Sequence, residues 1–148
     1  MNAHRSRPTA VLLIAHGSRR PEANADLFDL ASRLEASGSY PIVEPSFLEL
    51  AEPDIATGGR RCVDRGAGRV LMVPYFLSTG VHLSRDLTTA RRALSQRYPG
   101  VRFTLGPPLG PHPLLDQLVR LRIAETAEQT DDESAPTDSS IDDPDGQD

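Results

Sequence analysis

Residues 70–86 read VLMVPYFLSTGVHLSRD, an apolar run followed by a polar one. The first seven residues include β-branched side chains and are typical of a buried strand. Gly80 then indicates a turn, and His82 follows it on a predicted loop just past the strand end. Ser84 is a suitable N-cap for an amphipathic helix that we predict to run to about Tyr98. The stretch therefore predicts a strand, a turn that bears a histidine, and a helix.

A similar pattern stands near the beginning of the chain. The apolar run from Ala10 to Ala15 ends in His16 and Gly17, and Pro21 suits the first turn of the helix that follows. The sequence thus predicts two strands that each end in a histidine at a turn leading to a helix.

Two further strand–helix units complete the pattern. We predict a strand over residues 41–48, where Pro45 favours an edge position or a bulge, and a helix from Pro53 to about residue 65. The third strand covers residues 69–76, and a short strand over residues 101–105 precedes a last helix.

The regular alternation predicts the fold class. Strands joined through helices by short turns form parallel sheets with right-handed crossovers and helices on both faces. Four such units favour an α/β, flavodoxin-like sheet of order 2-1-3-4, in which ligands bind beyond the carboxyl ends of strands 1 and 3. This order brings His16 and His82 to one crevice, and it places Glu49 and Glu52 after the neighbouring strand 2.

Charge divides the chain into three parts: a polar N-terminal extension (residues 1–9), the α/β domain (10–124) and a tail predicted to be disordered (125–148). The tail holds ten acidic residues and no basic one. Residues 1–124 keep 11 acidic residues against 16 arginines, a formal charge of +5. A small anionic partner suits this charge, whereas scattered arginines without an aromatic ladder argue against nucleic acid.

Other residues limit the function classes. Cys62 is the one cysteine, which excludes a disulfide framework and a cysteine-based zinc site and predicts a buried structural thiol. His112, in a Gly-Pro-His-Pro turn, is predicted to have a structural role at a helix start. A short polar N-terminus and the lack of a membrane-length apolar stretch predict a cytoplasmic protein.

Two imidazoles and nearby carboxylates favour metal or proton chemistry. Neutral imidazole suits divalent first-row metals, and histidine titrates near neutral pH. Arg19 and Arg85 flank the two histidines and are candidates for binding anionic groups. Two histidines that only make structural hydrogen bonds at turns would be the alternative, but their meeting at one crevice favours a functional pair.

Three segments, in order and in spacing, resemble the sirohydrochlorin chelatase family. They are LIAHGSR (residues 13–19), FLELAEP (47–53) and VPYFLSTGVH (73–82), and the match extends from about residue 11 to residue 121. The resemblance implies an ATP-independent class II chelatase, a lyase of cobalamin or sirohaem synthesis, that inserts a divalent metal into a polycarboxylate tetrapyrrole. Co²⁺ is the metal that we expect first, with Ni²⁺ or Fe²⁺ as alternatives and no organic cofactor.

The resemblance also implies roles for particular residues. His16 corresponds to the catalytic proton acceptor and metal ligand, and His82 to the second catalytic and metal-binding histidine. The residues implied in substrate binding are Glu52, Leu77, Ser78, Thr79, Gly80, Val81 and His82. Because the chain carries one copy of a domain that long relatives carry twice, two chains are expected to pair as a homodimer, with no nucleic acid or membrane partner.

Two other functions stay open at this point. His-Gly also occurs in histidine phosphatases, although Ala15 stands where those enzymes have an arginine. A non-catalytic module that binds metal or tetrapyrrole and passes it on is the second alternative.

Overall fold

The structure is a computed structural model that describes residues 6–129, in which strands and helices alternate from the first element to the last. In chain order the elements are β1 (Thr9–Ala15), α1 (Pro21–Ala36), β2 (Ile42–Phe47), α2 (Ile55–Asp64), β3 (Arg69–Pro74), α3 (Val81–Arg97), β4 (Arg102–Leu105) and α4 (Pro113–Glu128). The predicted α/β class is confirmed.

The four strands that the described residues form make one parallel sheet of order β2-β1-β3-β4. The predicted order 2-1-3-4 is therefore confirmed, and β2 lies at an edge, as Pro45 indicated. The central strand β1 pairs Ala15 with Phe47 of β2 and Ile14 with Pro74 of β3. The three strands consequently end side by side, which brings the turns that follow them to one rim.

Alternate residues of β1 are buried on opposite faces of the sheet, as the period of two in a strand requires. Val11 and Leu13 belong to a core cluster that includes Leu27 of α1. Leu12 and Ile14 belong to the other cluster, to which α2 and α3 contribute. Helices therefore cover both faces, and β1 is buried between them.

Helix α2 begins two residues later than predicted. Asp54, and not Pro53, precedes its first residue: the Asp54 carboxylate accepts a hydrogen bond from the Thr57 N–H at 2.8 Å. Pro53 instead extends the sheet, because its carbonyl oxygen accepts from the Phe47 N–H at 2.9 Å. An aspartate at the N-cap satisfies an otherwise unpaired helix donor, which a proline at this point does not do.

Helix α3 begins earlier than predicted, so the assignment of Ser84 as N-cap is wrong. Gly80 is the N-cap, in an extended conformation, and the Ser84 N–H donates to its carbonyl oxygen at 3.0 Å within the first turn. The prediction chose a residue with a capping side chain, whereas this helix starts without one. His82 consequently lies in the first turn of α3 and not on a loop.

The C-terminal boundary also differs, since α4 continues to Glu128, past the predicted domain end at residue 124. Residues 130–148, which include most of the predicted tail, lie outside the described residues. The chain divides into two compact units, of which the first ends at Leu115 and the second begins at Asp116. None of the side chains of α4 is buried.

Two minor predictions are confirmed. Cys62 is fully buried on α2, and burial raises the pKa of its thiol to about 12, so the thiol is inert at neutral pH. His112 stands at the start of α4, where its Nδ1 atom accepts from the Leu114 N–H at 3.1 Å.

Within the described part of the chain, no helix has the length and apolar character that crossing a membrane requires.

Candidate active site at the carboxyl edge of the sheet

The rim beyond β1 and β2 is held by hydrogen bonds that continue the ladder of the two strands. The Leu48 N–H donates to the carbonyl oxygen of Ala15 at 3.0 Å, and the Glu49 N–H donates to that of His16 at 3.1 Å. The backbones after both strands therefore run alongside each other. This places Glu49 beside His16.

His16 and Glu49 form an ion pair when the imidazole is protonated. The distance from Nε2 of His16 to Oε1 of Glu49 is 3.0 Å, and their side chains are 62% and 58% exposed. Exposed pairs contribute little to stability. An accessible imidazole beside a carboxylate can instead accept a proton, share it, or bind a cation together with the carboxylate.

Glu49 is the carboxylate beside His16. Glu52, the glutamate predicted to bind substrate, lies three residues further along the chain and is exposed. Both glutamates follow strand 2 in the sequence, and the sequence pattern alone does not show which of them is the partner of His16. The signal that would have found Glu49 is the register of β1 with β2, since Ala15 pairs with Phe47. Continued by two residues, that register brings residue 49 level with residue 17.

Gly17 is required by this close approach. Its φ is +97°, in the left-handed region, and a Cβ atom built on it would lie 1.9 Å from the carbonyl oxygen of Glu49. Any other residue would be strained and would push the two turns apart. The His-Gly step of the sequence thus allows the His16 turn to lie against the Glu49 turn.

The chain leaving β3 reaches the same rim. The Tyr75 N–H donates to the carbonyl oxygen of Ile14 at 2.7 Å, and the ring of Phe76 lies edge-on to that of His16 with centroids 6.5 Å apart. The predicted meeting of the turns after β1 and β3 is therefore present at the level of His16 and Phe76.

The predicted substrate-binding stretch follows directly and is open to solvent. Leu77 is 69% exposed and Val81 65% exposed. A hollow of about 330 Å³ is lined by Thr79, Gly80, Val81, Ser84 and Arg85. Val81 and Arg85 therefore border the same hollow.

A larger cavity lies elsewhere, between α2 and α3. Its volume is about 360 Å³, and its lining includes Ile55, Leu94 and Tyr98 but neither histidine of the predicted site. Because its lining holds no histidine, cysteine, aspartate or glutamate, we place the candidate site at the carboxyl edge of the sheet and not in this cavity.

The structure brings His16 together with Glu49 but does not join His82 to them as a ready-made metal centre. Among residues 6–129, no three histidine, cysteine, aspartate or glutamate side chains are grouped so that they could hold a metal ion. His82 is exposed in the first turn of α3. A metal bound by both His16 and His82 stays a prediction.

A family model described as CbiX matches residues 10–126 of this chain. The chloroplastic sirohydrochlorin ferrochelatase of Arabidopsis thaliana is 38% identical over 113 residues, which are 76% of this chain and 50% of the relative. A sirohydrochlorin cobaltochelatase of Priestia megaterium is 35% identical over 120 residues, 81% of this chain and 39% of the relative. The chain thus spans half or less of the length of these two relatives.

Solved structures of similar proteins also superpose on this chain. SirB from Bacillus subtilis with Fe³⁺ superposes with a TM-score of 0.73 at 34% identity, over 80% of this chain and 47% of that one. A cobalamin biosynthesis CbiX protein from Marinobacter aquaeolei superposes with a TM-score of 0.71 at 29% identity. That match covers 83% of this chain and 100% of the other.

Proposed function

The chain belongs to the CbiX family, the sirohydrochlorin chelatases, and from this premise we propose that it inserts a divalent metal into a tetrapyrrole without ATP. The substrate is sirohydrochlorin or a related polycarboxylate macrocycle. Co²⁺ is the first candidate metal and Fe²⁺ an alternative, because the relatives include both cobaltochelatases and ferrochelatases. Ni²⁺ is a further alternative, because it also suits imidazole ligands. The observation that carries the proposal is the exposed His16–Glu49 pair at the carboxyl edge of the sheet.

Metal insertion releases two protons from pyrrole nitrogens as the divalent cation enters, so the site needs a base. We assign this role to His16, because histidine is the side chain that acts most often as a general base. Glu49 lies 3.0 Å from Nε2 and stabilises the imidazolium that forms. Before insertion, His16 and His82 bind the incoming cation, and Glu49 is a further candidate ligand, since imidazole nitrogen and carboxylate oxygen both suit such metals.

The stretch from Leu77 to His82 is proposed to hold the macrocycle. The exposed side chains of Leu77 and Val81 suit the apolar face of the ring, while Arg85, which lines the adjacent hollow, suits a peripheral carboxylate. Arg19 is the corresponding arginine after β1, and Glu52 stays a candidate for contacting the substrate.

The chain is proposed to act as a homodimer. The matched part of this chain covers half or less of each curated relative compared above, and the site edge leaves large apolar side chains in solvent. A second copy facing the first would enclose a macrocycle between the two edges.

Light scattering is expected to give a mass near twice 16.1 kDa. A monomer that is fully active at the assay concentration would contradict the dimer.

The test of the function is an absorption assay with purified protein, sirohydrochlorin and each of Co²⁺, Ni²⁺ and Fe²⁺ under matched conditions. We expect metal insertion faster than the uncatalysed rate, and a rate at the uncatalysed level for His16→Ala. Tight tetrapyrrole binding without a rate increase would contradict the chelatase function and favour a non-catalytic binding module. Phosphate release from a phosphomonoester, in the absence of insertion, would favour a phosphatase.

A further inference from the structure

We infer that Asn24 is a positioning residue for His16, an inference that rests on the chelatase function proposed above. The residue lies in α1, eight positions after the histidine, and does not touch it. It acts through the backbone of the turn that carries His16.

The carboxamide of Asn24 binds both backbone groups of Ser18. The Ser18 N–H donates to Oδ1 of Asn24 at 2.9 Å, and Nδ2 of Asn24 donates to the Ser18 carbonyl oxygen at 2.7 Å. Both contacts are partly buried. The side chain thus replaces a neighbouring peptide group and anchors the turn to α1.

This anchor is placed where the turn is otherwise weakly held. The His16 carbonyl oxygen accepts from the Glu49 N–H, which fixes the backbone before Gly17. Gly17, at φ +97°, is the most permissive type of residue, so the direction of the chain beyond it depends on what holds Ser18. The other contact of Ser18, from the Arg20 N–H to Oγ at 3.1 Å, is local and moves with the turn.

His16 depends on its backbone more than on packing, because its side chain is 62% exposed. A shift of the turn would carry the imidazole away from Glu49 and from the substrate. Misplacement of a catalytic group by about 1 Å can reduce a rate by about 100-fold. Holding Ser18 therefore holds the ring that accepts the proton.

Asparagine at this position does not favour helix formation by itself. Asparagine is a poorer helix former than alanine, and the N-cap residue of α1 has no side-chain capping bond that Asn24 could assist. If Asn24 served only the stability of α1, Asn24→Ala would be neutral or stabilising. A role in α1 alone therefore predicts an unchanged kcat for Asn24→Ala, whereas the positioning role predicts a lower one.

The test compares Asn24→Ala, Asn24→Asp and, as a matched control on the exposed side of the same helix, Asp29→Ala. For Co²⁺ insertion into sirohydrochlorin we expect kcat of Asn24→Ala to fall about tenfold, with KM changed by less than about twofold. Asn24→Asp keeps the acceptor for the Ser18 N–H and loses the donor, so it should recover part of the loss. Asp29→Ala should match the wild type.

A second readout does not depend on activity. The ring signals of His16 in the NMR spectrum of the substrate-free protein, assigned by their loss in His16→Ala, should shift in Asn24→Ala and less so in Asn24→Asp. Unchanged His16 signals, or a wild-type kcat, in Asn24→Ala would overturn the inference. An inactive wild type would refute the proposed function instead, and the His16 signals would then decide the role of Asn24.

Discussion

His82, one of the residues proposed for the chemistry, lies outside the core of the domain. Its side chain is exposed in the first turn of α3, where alanine is the better helix former. We expect His82→Ala to abolish metal insertion while the thermal midpoint stays within a few degrees of the wild type, as calorimetry would measure. Unfolding of this variant would mean that the histidine is structural.

Glu49 and Glu52 are three residues apart, and only one of them faces His16. We expect Glu49→Gln to reduce kcat for metal insertion by about tenfold or more, because the imidazolium loses its charged partner. Glu52→Gln is the matched control and should affect KM more than kcat. Equal losses of kcat in both variants would contradict the assignment of Glu49.

Gly17 and Gly38 both have left-handed backbones, with φ of +97° and +82°, but only Gly17 is crowded. Gly38→Ala should cost about 1 kcal/mol of unfolding free energy, from the left-handed conformation alone. Gly17→Ala should cost about 3 kcal/mol or more, because its Cβ would also overlap the Glu49 carbonyl oxygen. Urea unfolding of the two variants measures the difference, and equal costs would show that the turns can separate.

At the scale of elements, an arginine joins three pieces of secondary structure. Arg65, at the end of α2, contacts Oε1 of Glu35 at 2.7 Å and Oε1 of Glu44 at 3.0 Å. Glu35 belongs to α1 and Glu44 to β2, and the Glu35 carboxylate also accepts from the Val43 N–H at 3.0 Å. This network ties the helix ends to the edge strand, at residues well separated in sequence from the His16 turn.

The network predicts a pH dependence of stability. The hydrogen bond from the Val43 N–H, with Arg65 as the second cause, lowers the pKa of Glu35. A carboxyl whose pKa is lower in the folded state stabilises the fold above its unfolded value of about 4.3, and this contribution is lost as the pH falls through the folded value. Glu35→Gln should therefore be less stable than the wild type at pH 6. Below about pH 4.3 it should lose less stability than the wild type does.

Denaturant unfolding of Glu35→Gln over this pH range, beside an exposed control on the same helix, Glu22→Gln, measures the effect. The hydrogen bonds from Thr57 lower the pKa of Asp54, so this carboxylate also makes both variants less stable as the pH falls. Glu35→Gln should therefore remove only part of the dependence of the unfolding free energy on pH. An unchanged slope in Glu35→Gln would show that the carboxylate is not stabilised in the native state.

At the scale of the whole molecule, charge is unevenly divided along the chain. Removing residues 130–148 takes away eight acidic residues and changes the formal net charge from −5 to +3. We expect the truncated protein to insert metal within about twofold of the full-length rate, because the proposed site residues all precede the cut. Its isoelectric point should rise well above 5.3. A larger change in the insertion rate would assign the acidic segment a part in the reaction.

Much of the architecture follows from the sequence alone. Alternating strands and helices with short turns leave few topologies open, so the sheet order 2-1-3-4 and the edge position of β2 were predicted and are confirmed. The element ends were less predictable. Gly80 and Ser84 are both acceptable N-caps, and the choice between them depends on where the chain leaves the sheet.

Local periodicity and the handedness of crossovers are enough to predict the sheet, the order of its strands and the position of His16 at the turn after β1. Three contacts are visible only in the folded chain: the pairing of Glu49 with His16, the close approach that Gly17 allows, and the hydrogen bonds from Asn24 to the turn. The reason is physical: each of these contacts depends on the register between neighbouring strands or on the packing of a helix against a turn. Such distances of a few ångströms are set by the whole core and not by any segment alone.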